Sequence, residues 1–430
     1  MRQEEYFPDG TRIHDWFYEG TPPRLEDLGT PYVLTQHGIA DDGKLYTKQI
    51  QELIDRIHEA GGGVVVVPAG TYRTGALFFK PGVHLYLSTD AILLGSDDIA
   101  DYPIVKTRIE GETCMYFAAL INADSTRGFT LCGDGVIDGN GLRSWKAFWL
   151  RRKWNGNCTN KDEQRPRLLY VSNSSDVTIS GVTLRNSHFW TTHIYKCDYV
   201  RYMNCSIFAP RSPVHAPSSD AIDIDACSYV HIKNCRMEVA DDGVVLKGGK
   251  GPWADTDENN GMNENILIED CEMIACDAAL TCGSESIRNR NVILRRCQVS
   301  RLQSIFHLKL RPDTPQFYEH IRVENVSGSC QFFVTARPWT QFYDLKDRKD
   351  TPMSYADQIT IRNCSVICHT FLNMSFSKEY DQITNFSLEN LHIQAHIYKA
   401  EGCPEEDLIL HNVFVEAVAP DAWKNKKEAI

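Results

Sequence analysis

Several features are missing from this 430-residue sequence. No apolar run approaches the roughly 18 residues that cross a bilayer as a helix, so no membrane partner is expected. The opening, Met1-Arg-Gln-Glu-Glu-Tyr-Phe-Pro8, lacks the apolar centre of a signal peptide. It fits a cytoplasmic chain, or a periplasmic or extracellular one whose leader has been removed. A basic excess is missing too: the net charge is −12, and the overall field repels nucleic acid and other polyanions. An anionic substrate would need a local patch of Lys and Arg to overcome that field. Lys247-Gly-Gly-Lys-Gly251 does not complete a phosphate loop, which needs Gly-x-x-x-x-Gly-Lys-Ser/Thr. The 15 cysteines are odd in number and lack Cys-x-x-Cys pairing, which speaks against a full disulfide framework and against zinc. No cofactor is expected, and a monomer is.

One helix is present, near Thr47 to Ala60, where Ile50, Leu53, Ile54 and Ile57 share a face and Gly61-Gly62-Gly63 ends the element. Everything after it reads as short strands repeating one phrase. Val177-Thr-Ile-Ser-Gly-Val-Thr-Leu184 is followed by copies that begin at Val200, Val230, Ile266, Val292, Ile321, Ile359 and Ile383. In most copies apolar residues alternate with polar ones, giving a strand with one buried face. A short polar residue, often Asn, then turns the chain, since Asn tolerates the left-handed conformation. A small apolar residue, commonly Cys, points back inside. The copies recur every 23 to 38 residues, which suits one coil of a parallel β-helix with loops of varying length. Stacked coils would supply the core that one coil cannot. Cys205, Cys235, Cys271, Cys297 and Cys364 would then form part of an internal ladder of thiols. A propeller needs longer repeats, and a sandwich needs regular two-residue hairpins that are scarce here. The expected fold is all-β: a right-handed parallel β-helix with one short N-terminal capping helix. An entry segment covers 1–45 and the β-helix covers 46–430.

The acids carry the chemistry. Asp220 lies in Ser218-Ser-Asp-Ala-Ile-Asp-Ile-Asp225, and Asp241-Asp242-Gly243 follows 21 residues after Asp220, about one coil. Neighbouring coils are roughly 4.8 Å apart, so the side chains can stack on one wall. A regular strand would bury one of Asp241 and Asp242; a bend helped by Gly243 turns both outward. Carboxyl groups held together cannot all ionise, so one keeps its proton and can donate to a leaving oxygen while the others activate water. Where two such groups stand roughly 6.5–9.5 Å apart, water fits between them and configuration inverts. The competing use is a calcium site or a solvated acidic turn, with Asp220, Asp223 and Asp225 as oxygen donors.

Here a resemblance enters. Gly61-Gly-Gly-Val-Val-Val-Val-Pro-Ala-Gly-Thr-Tyr72, Gly75-Ala-Leu-Phe-Phe-Lys-Pro-Gly82 and Arg185-Asn-Ser-His-Phe-Trp-Thr-Thr-His193 look like phrases of bacterial glycoside hydrolase family 28. That family holds polygalacturonases and rhamnogalacturonan hydrolases. Ser218-Ser219-Asp220 stands where the family has Asn-Thr-Asp, and Asp241-Asp242-Gly243 where it has its Asp pair. The similarity runs from about residue 30 to 395. It implies an inverting, metal-independent hydrolase of an acidic plant-type polysaccharide, with Asp241 as general acid and Asp220 and Asp242 activating water. Thr281-Cys-Gly-Ser-Glu285 resembles a phrase of the exo-acting members, and Lys247 and Lys309 match family lysines. Two positions depart: Asp277 falls where the family has a histidine, and His307 where it has the arginine of Arg-Ile-Lys. Arg311, placed on the strand face of Lys309, is expected to replace the missing guanidinium for a substrate carboxylate. Asp277 either adds a fourth carboxylate that tunes the site or sits idle on a loop.

Leu142–Trp154 interleaves three Trp with five basic residues. It reads either as a sugar-stacking cap on one end of a cleft or as an amphipathic segment packed on the coil. Ala336-Arg-Pro-Trp-Thr340 offers Arg337 and Trp339 to the cleft. Lys247, Asp277, His307, Lys309, Arg311 and Arg337 are thus the candidate substrate-binding residues. Two other functions compete with hydrolysis. A polysaccharide lyase needs a base where acids dominate here, and a non-catalytic β-helix would only bind carbohydrate.

Overall fold

A computed structural model of the protein describes residues 4–424. Its 31-stranded parallel sheet winds as a right-handed parallel β-helix. The register shows why. Val177, Val200, Val230, Ile266, Val292, Ile321 and Ile359 stand opposite one another, each one coil beyond the last. All seven side chains are buried, in one contiguous apolar core running through the stack. Truncating any of them to Ala would leave a cavity worth about 2–5 kcal/mol. The turn residues behave as their chemistry requires: Asn204, Asn234, Asp270, Asn325 and Asn363 all have φ between 52 and 57°. The cysteines after four such turns, Cys205, Cys235, Cys271 and Cys364, point inward and are buried, as is Cys297. All 15 thiols are free.

The helix Thr47–Glu59 buries Ile50, Leu53, Ile54 and Ile57 against the first coils, as its spacing requires. The strand Pro31–Val33 already pairs with Val64–Val66, so the stack begins within residues 1–45. Leu28 packs beside it on Val64 and Val66, while the earlier chain lies elsewhere. Phe7, Ile13 and Phe17 pack on Leu267 and Ile293, halfway along the solenoid.

Three expectations need correction. The chain after the helix Thr47–Glu59 is not all strands: Leu142–Trp154 is a second long helix. It has no Gly or Pro to break it, and it buries Trp145 and Phe148 on the coil. In its basic last turn Arg151 and Lys153 are exposed while Arg152 lies over the Phe148 ring at 4.9 Å, so the reading as a segment packed on the coil describes it. The last copy of the repeat starts at Phe386, which pairs with Ile359, and not at Ile383, which pairs with Ala356 in a separate short strand. Finally, the strands lengthen towards the C-terminus, where Gln298–Leu310 runs through a bulge that replaces a turn. One antiparallel hairpin, Ile104–Ile109 with Glu112–Phe117, stands off the coils and matters for the site. Among the described residues, no helix is long and apolar enough to cross a membrane.

Candidate active site

Successive coils bring Thr192–Tyr195, Ile222–Asp225, Val244–Lys247, Ala278–Cys282 and Gln298–Leu310 side by side. Ile222 and Ile224 enter the core, so the period of two sends Asp223 and Asp225 to the opposite face. That face carries His193, Asp223, Val245, Thr281 and His307 in one row. The acids at 220, 241 and 242 come just ahead of these strands. Residues 240–243 form a bend rather than strand: Asp242 N donates to Asp241 Oδ1 at 3.0 Å and Gly243 N to the Ala278 carbonyl at 2.7 Å. One oxygen from each of Asp220, Asp241 and Asp242 lies within 4.8 Å of the others. These oxygens are closer than the roughly 6.5–9.5 Å expected between an acid and a base that share a water. The three carboxyls leave the same side of adjacent coils, so their spacing does not assign the stereochemistry.

Their surroundings differ sharply. Burial, reinforced by Asp220, Asp277 and Asp242, lifts the Asp241 carboxyl well above the usual carboxylate range. Burial and the neighbouring Asp223 raise Asp220 as well. Burial acts on Asp242 too, but the Lys309 ammonium, 2.9 Å from its Oδ2, outweighs it and holds Asp242 below its ordinary value. The group titrates as a unit. Within it, the proton belongs on the Asp241 and Asp220 side and the charge on Asp242.

Lys247 is buried at 3 % exposure. Its Nζ lies 3.1 Å from Glu285, 3.3 Å from Asp223 and 3.7 Å from Asp220, and 4.1 Å from the centre of the Trp190 ring. It neutralises the floor of the site. Burial first, against the pull of Lys247, pushes Asp223 up to about 7. Three clustered carboxylates are also a donor set for a divalent cation. Here two ammonium groups, Lys309 and Lys247, already stand 2.9 Å from Asp242 and 3.7 Å from Asp220, where they oppose one.

The other candidates divide. Lys309 lies over the Trp339 ring at 4.7 Å, and Arg337 is its exposed neighbour on the next coil, bonded to Asn373. His307 stands edge-on to Trp339, and burial with Lys309 beside it pushes its pKa down to about 3, so it is neutral. Asp277 lies next to Asp241, its backbone N donating to the Asp241 carbonyl at 2.8 Å, and its carboxylate pairs with Arg211 at 2.6 Å. The structure thus places Asp277 beside the three acids. Arg311 is a correction. It is buried at 1 % exposure and locked to Asp313 through two bonds of 2.8 and 2.7 Å, beyond the end of the strand at Leu310. It does not replace the missing guanidinium.

Sequence reasoning missed several members. Glu285 and Asp223 stood inside quoted phrases, but nothing local marked them as partners of Lys247. Arg108, on the hairpin, reaches Asp225 at 3.1 Å across 117 residues. Arg167 bridges His193 Nδ1 at 2.6 Å and the Arg108 carbonyl at 2.9 Å. Together they tie the hairpin to the outer face of the strands Thr192–Tyr195 and Ile222–Asp225. Such long-range pairs leave no spacing signal.

Residues 102–300, which hold the acids, Lys247, Asp277 and Glu285, match the family described as glycosyl hydrolases family 28. A probable polygalacturonase of Vitis vinifera is 30% identical over 261 residues, covering 58% of this chain and 50% of that protein. The chain is also similar to an exo-poly-alpha-D-galacturonosidase of Dickeya chrysanthemi, 34% identical over 164 residues, 36% of this chain and 25% of that protein. The chain spans about half the length of the first curated relatives it matches. A hyperthermoactive exopolygalacturonase from Thermotoga maritima shares the fold, with a TM-score of 0.74 at 20% identity over 94% of this chain and 95% of that one.

Proposed function

We propose that the protein hydrolyses glycosidic bonds in a pectic polysaccharide, galacturonan or rhamnogalacturonan, from a chain end. Asp241 donates its proton to the leaving glycosidic oxygen. Asp242, aided by Asp220, takes a proton from a water that attacks the anomeric carbon from the opposite face, so configuration inverts. The observation that carries this reading is the unequal setting of adjacent residues: Asp241 is crowded by carboxyls while Asp242 is held ionised by Lys309. Polygalacturonase names among the relatives support the substrate class. Arg337, exposed on the coil after largely buried Lys309, suits the carboxylate of a uronic acid. The hairpin that carries Arg108 is anchored to Asp225, where it would end a substrate groove and favour cleavage at a terminus.

The test is incubation with homogalacturonan and rhamnogalacturonan oligosaccharides of defined length, with products separated by chromatography and their anomers followed by proton NMR. Release of monosaccharide as the inverted anomer supports the proposal. Unsaturated, ultraviolet-absorbing uronides would mark a lyase instead, and intact substrates would leave a binding protein.

A further inference from the structure

The loop from Ala209 to Ser219 leads into Asp220 and is tied to the helix Leu142–Trp154 and to the coil of Asp277. Trp149 of the second helix anchors it, donating from Nε1 to the His215 carbonyl at 2.7 Å. Arg211 then reaches two coils on. Its Nε donates to the Ala275 carbonyl at 2.6 Å and its Nη2 to Asp277 Oδ1 at 2.6 Å. The backbone of Asp277 is pinned on both sides: its N–H donates to the Asp241 carbonyl at 2.8 Å and its carbonyl accepts from Ser304 at 2.7 Å. A guanidinium held by two donors in a fixed fork leaves the Asp277 carboxylate little freedom to swing away.

We propose that Arg211 is a positioning residue for the acid Asp241, acting by clamping Asp277 beside it; this rests on the hydrolase reading above. Without a cation, Asp277 would be one more negative group buried beside Asp241, Asp242 and Asp220, and it would take up a proton or turn out to solvent. Burial and Asp242 hold the Asp277 carboxyl above its ordinary value even so, and the Arg211 guanidinium works against them, favouring the charged form and keeping it close. An ionised Asp277 opposes ionisation of Asp241, so the catalytic proton is retained to higher pH. The charged and titratable groups facing this pair are Asp220 and Asp242 from the neighbouring bends, Lys309 and His307 from the strand Gln298–Leu310, and His215 from the loop itself. Burial and Lys309 keep His307 neutral, and Lys309 is committed to Asp242. Arg211 is therefore the cation paired with Asp277 among the described residues. Both partners are about one-third exposed, at 36 and 31 %, so the influence on Asp241 is moderate.

The test compares pH profiles of kcat/KM for the wild type, Arg211→Gln, Arg211→Lys, Asp277→Asn and the double variant Arg211→Gln/Asp277→Asn, with circular dichroism confirming each fold. In Arg211→Gln the alkaline limb should move down by about one pH unit, because Asp241 loses its proton earlier. Arg211→Lys should recover part of that shift. Asp277→Asn should move the limb the same way, and the double variant should add nothing. An alkaline limb unmoved in Arg211→Gln, with only KM raised, would make Arg211 a plain substrate contact and overturn the proposal. So would a double variant that shifts by the sum of the singles. Carbon-13 NMR titration of the Asp241 carboxyl reads the same claim without turnover: its midpoint should fall in Arg211→Gln. Loss of the hydrolase reading would appear separately, as a wild type that cleaves none of the oligosaccharides.

Discussion

Lys309 Nζ lies 2.9 Å from Asp242 Oδ2, while the adjacent residue Asp241 makes no ion pair among the described residues. Two neighbours in the chain thus carry opposite protonation tendencies. Replacing Lys309 with Met should release Asp242 from its depressed pKa. The acid limb of kcat/KM, set by protonation of that base, should then move to higher pH, and kcat should fall about 10²-fold or more. A pH profile of the variant checks it; an acid limb left in place would separate Lys309 from the base.

Asp241 contributes to stability with the opposite sign. Its folded pKa is raised above the ordinary value, so the folded state suits the protonated form. Its stabilising share is present below the unfolded value, near 3.9, and is lost as pH rises through the folded value. Asp241→Asn should therefore be more stable than the wild type at pH 7, by at least about 1 kcal/mol, and the gain should shrink at pH 4. Thermal melts at the two pH values measure this directly.

The repeat was legible in the sequence because each coil writes the same instruction: an apolar residue in register, a turn residue that tolerates positive φ, and a small inward side chain. Val200, Asn204 and Cys205 carry all three. The acids at 220, 241 and 242 were legible for the same reason, since one coil of separation places them together. The expectation for Arg311 failed because the strand ends at Leu310, and strand periodicity says nothing beyond that point. The second helix was hidden by Trp-rich composition, with contacts such as Trp145 Nε1 to the Ser187 carbonyl supplied only by the folded coil. The clamps by Arg108, Arg167 and Arg211 join residues far apart in sequence, where no local pattern exists.

Arg108 and Asp225 are each 1 % exposed and 3.1 Å apart, on the hairpin and on the wall of the groove. Breaking a buried pair by removing one partner leaves an uncompensated charge, at a cost of about 3–5 kcal/mol. Arg108→Met should lower the denaturation midpoint accordingly and loosen the hold of the hairpin on Asp225. Digests of long homogalacturonan by the variant should then gain oligomers longer than one sugar. Denaturant unfolding and product sizing test the two parts separately.

The thiols should be inert in the folded protein. All except Cys114 are buried, and burial pushes Cys276 and Cys368 up to about 12, where the thiolate scarcely forms near neutrality. A thiol-reactive dye should label no more than one site natively and all 15 after denaturation. Rapid native labelling of several sites would contradict the internal ladder.

The division of labour between Asp241 and Asp242 is tested most directly by steady-state kinetics of Asp241→Asn on a short galacturonan oligosaccharide. Loss of about 10³-fold or more in kcat, with KM within a few-fold of the wild type and the fold intact, is the expected result. A variant that turns over within tenfold of the wild type would show that Asp241 does not supply the proton.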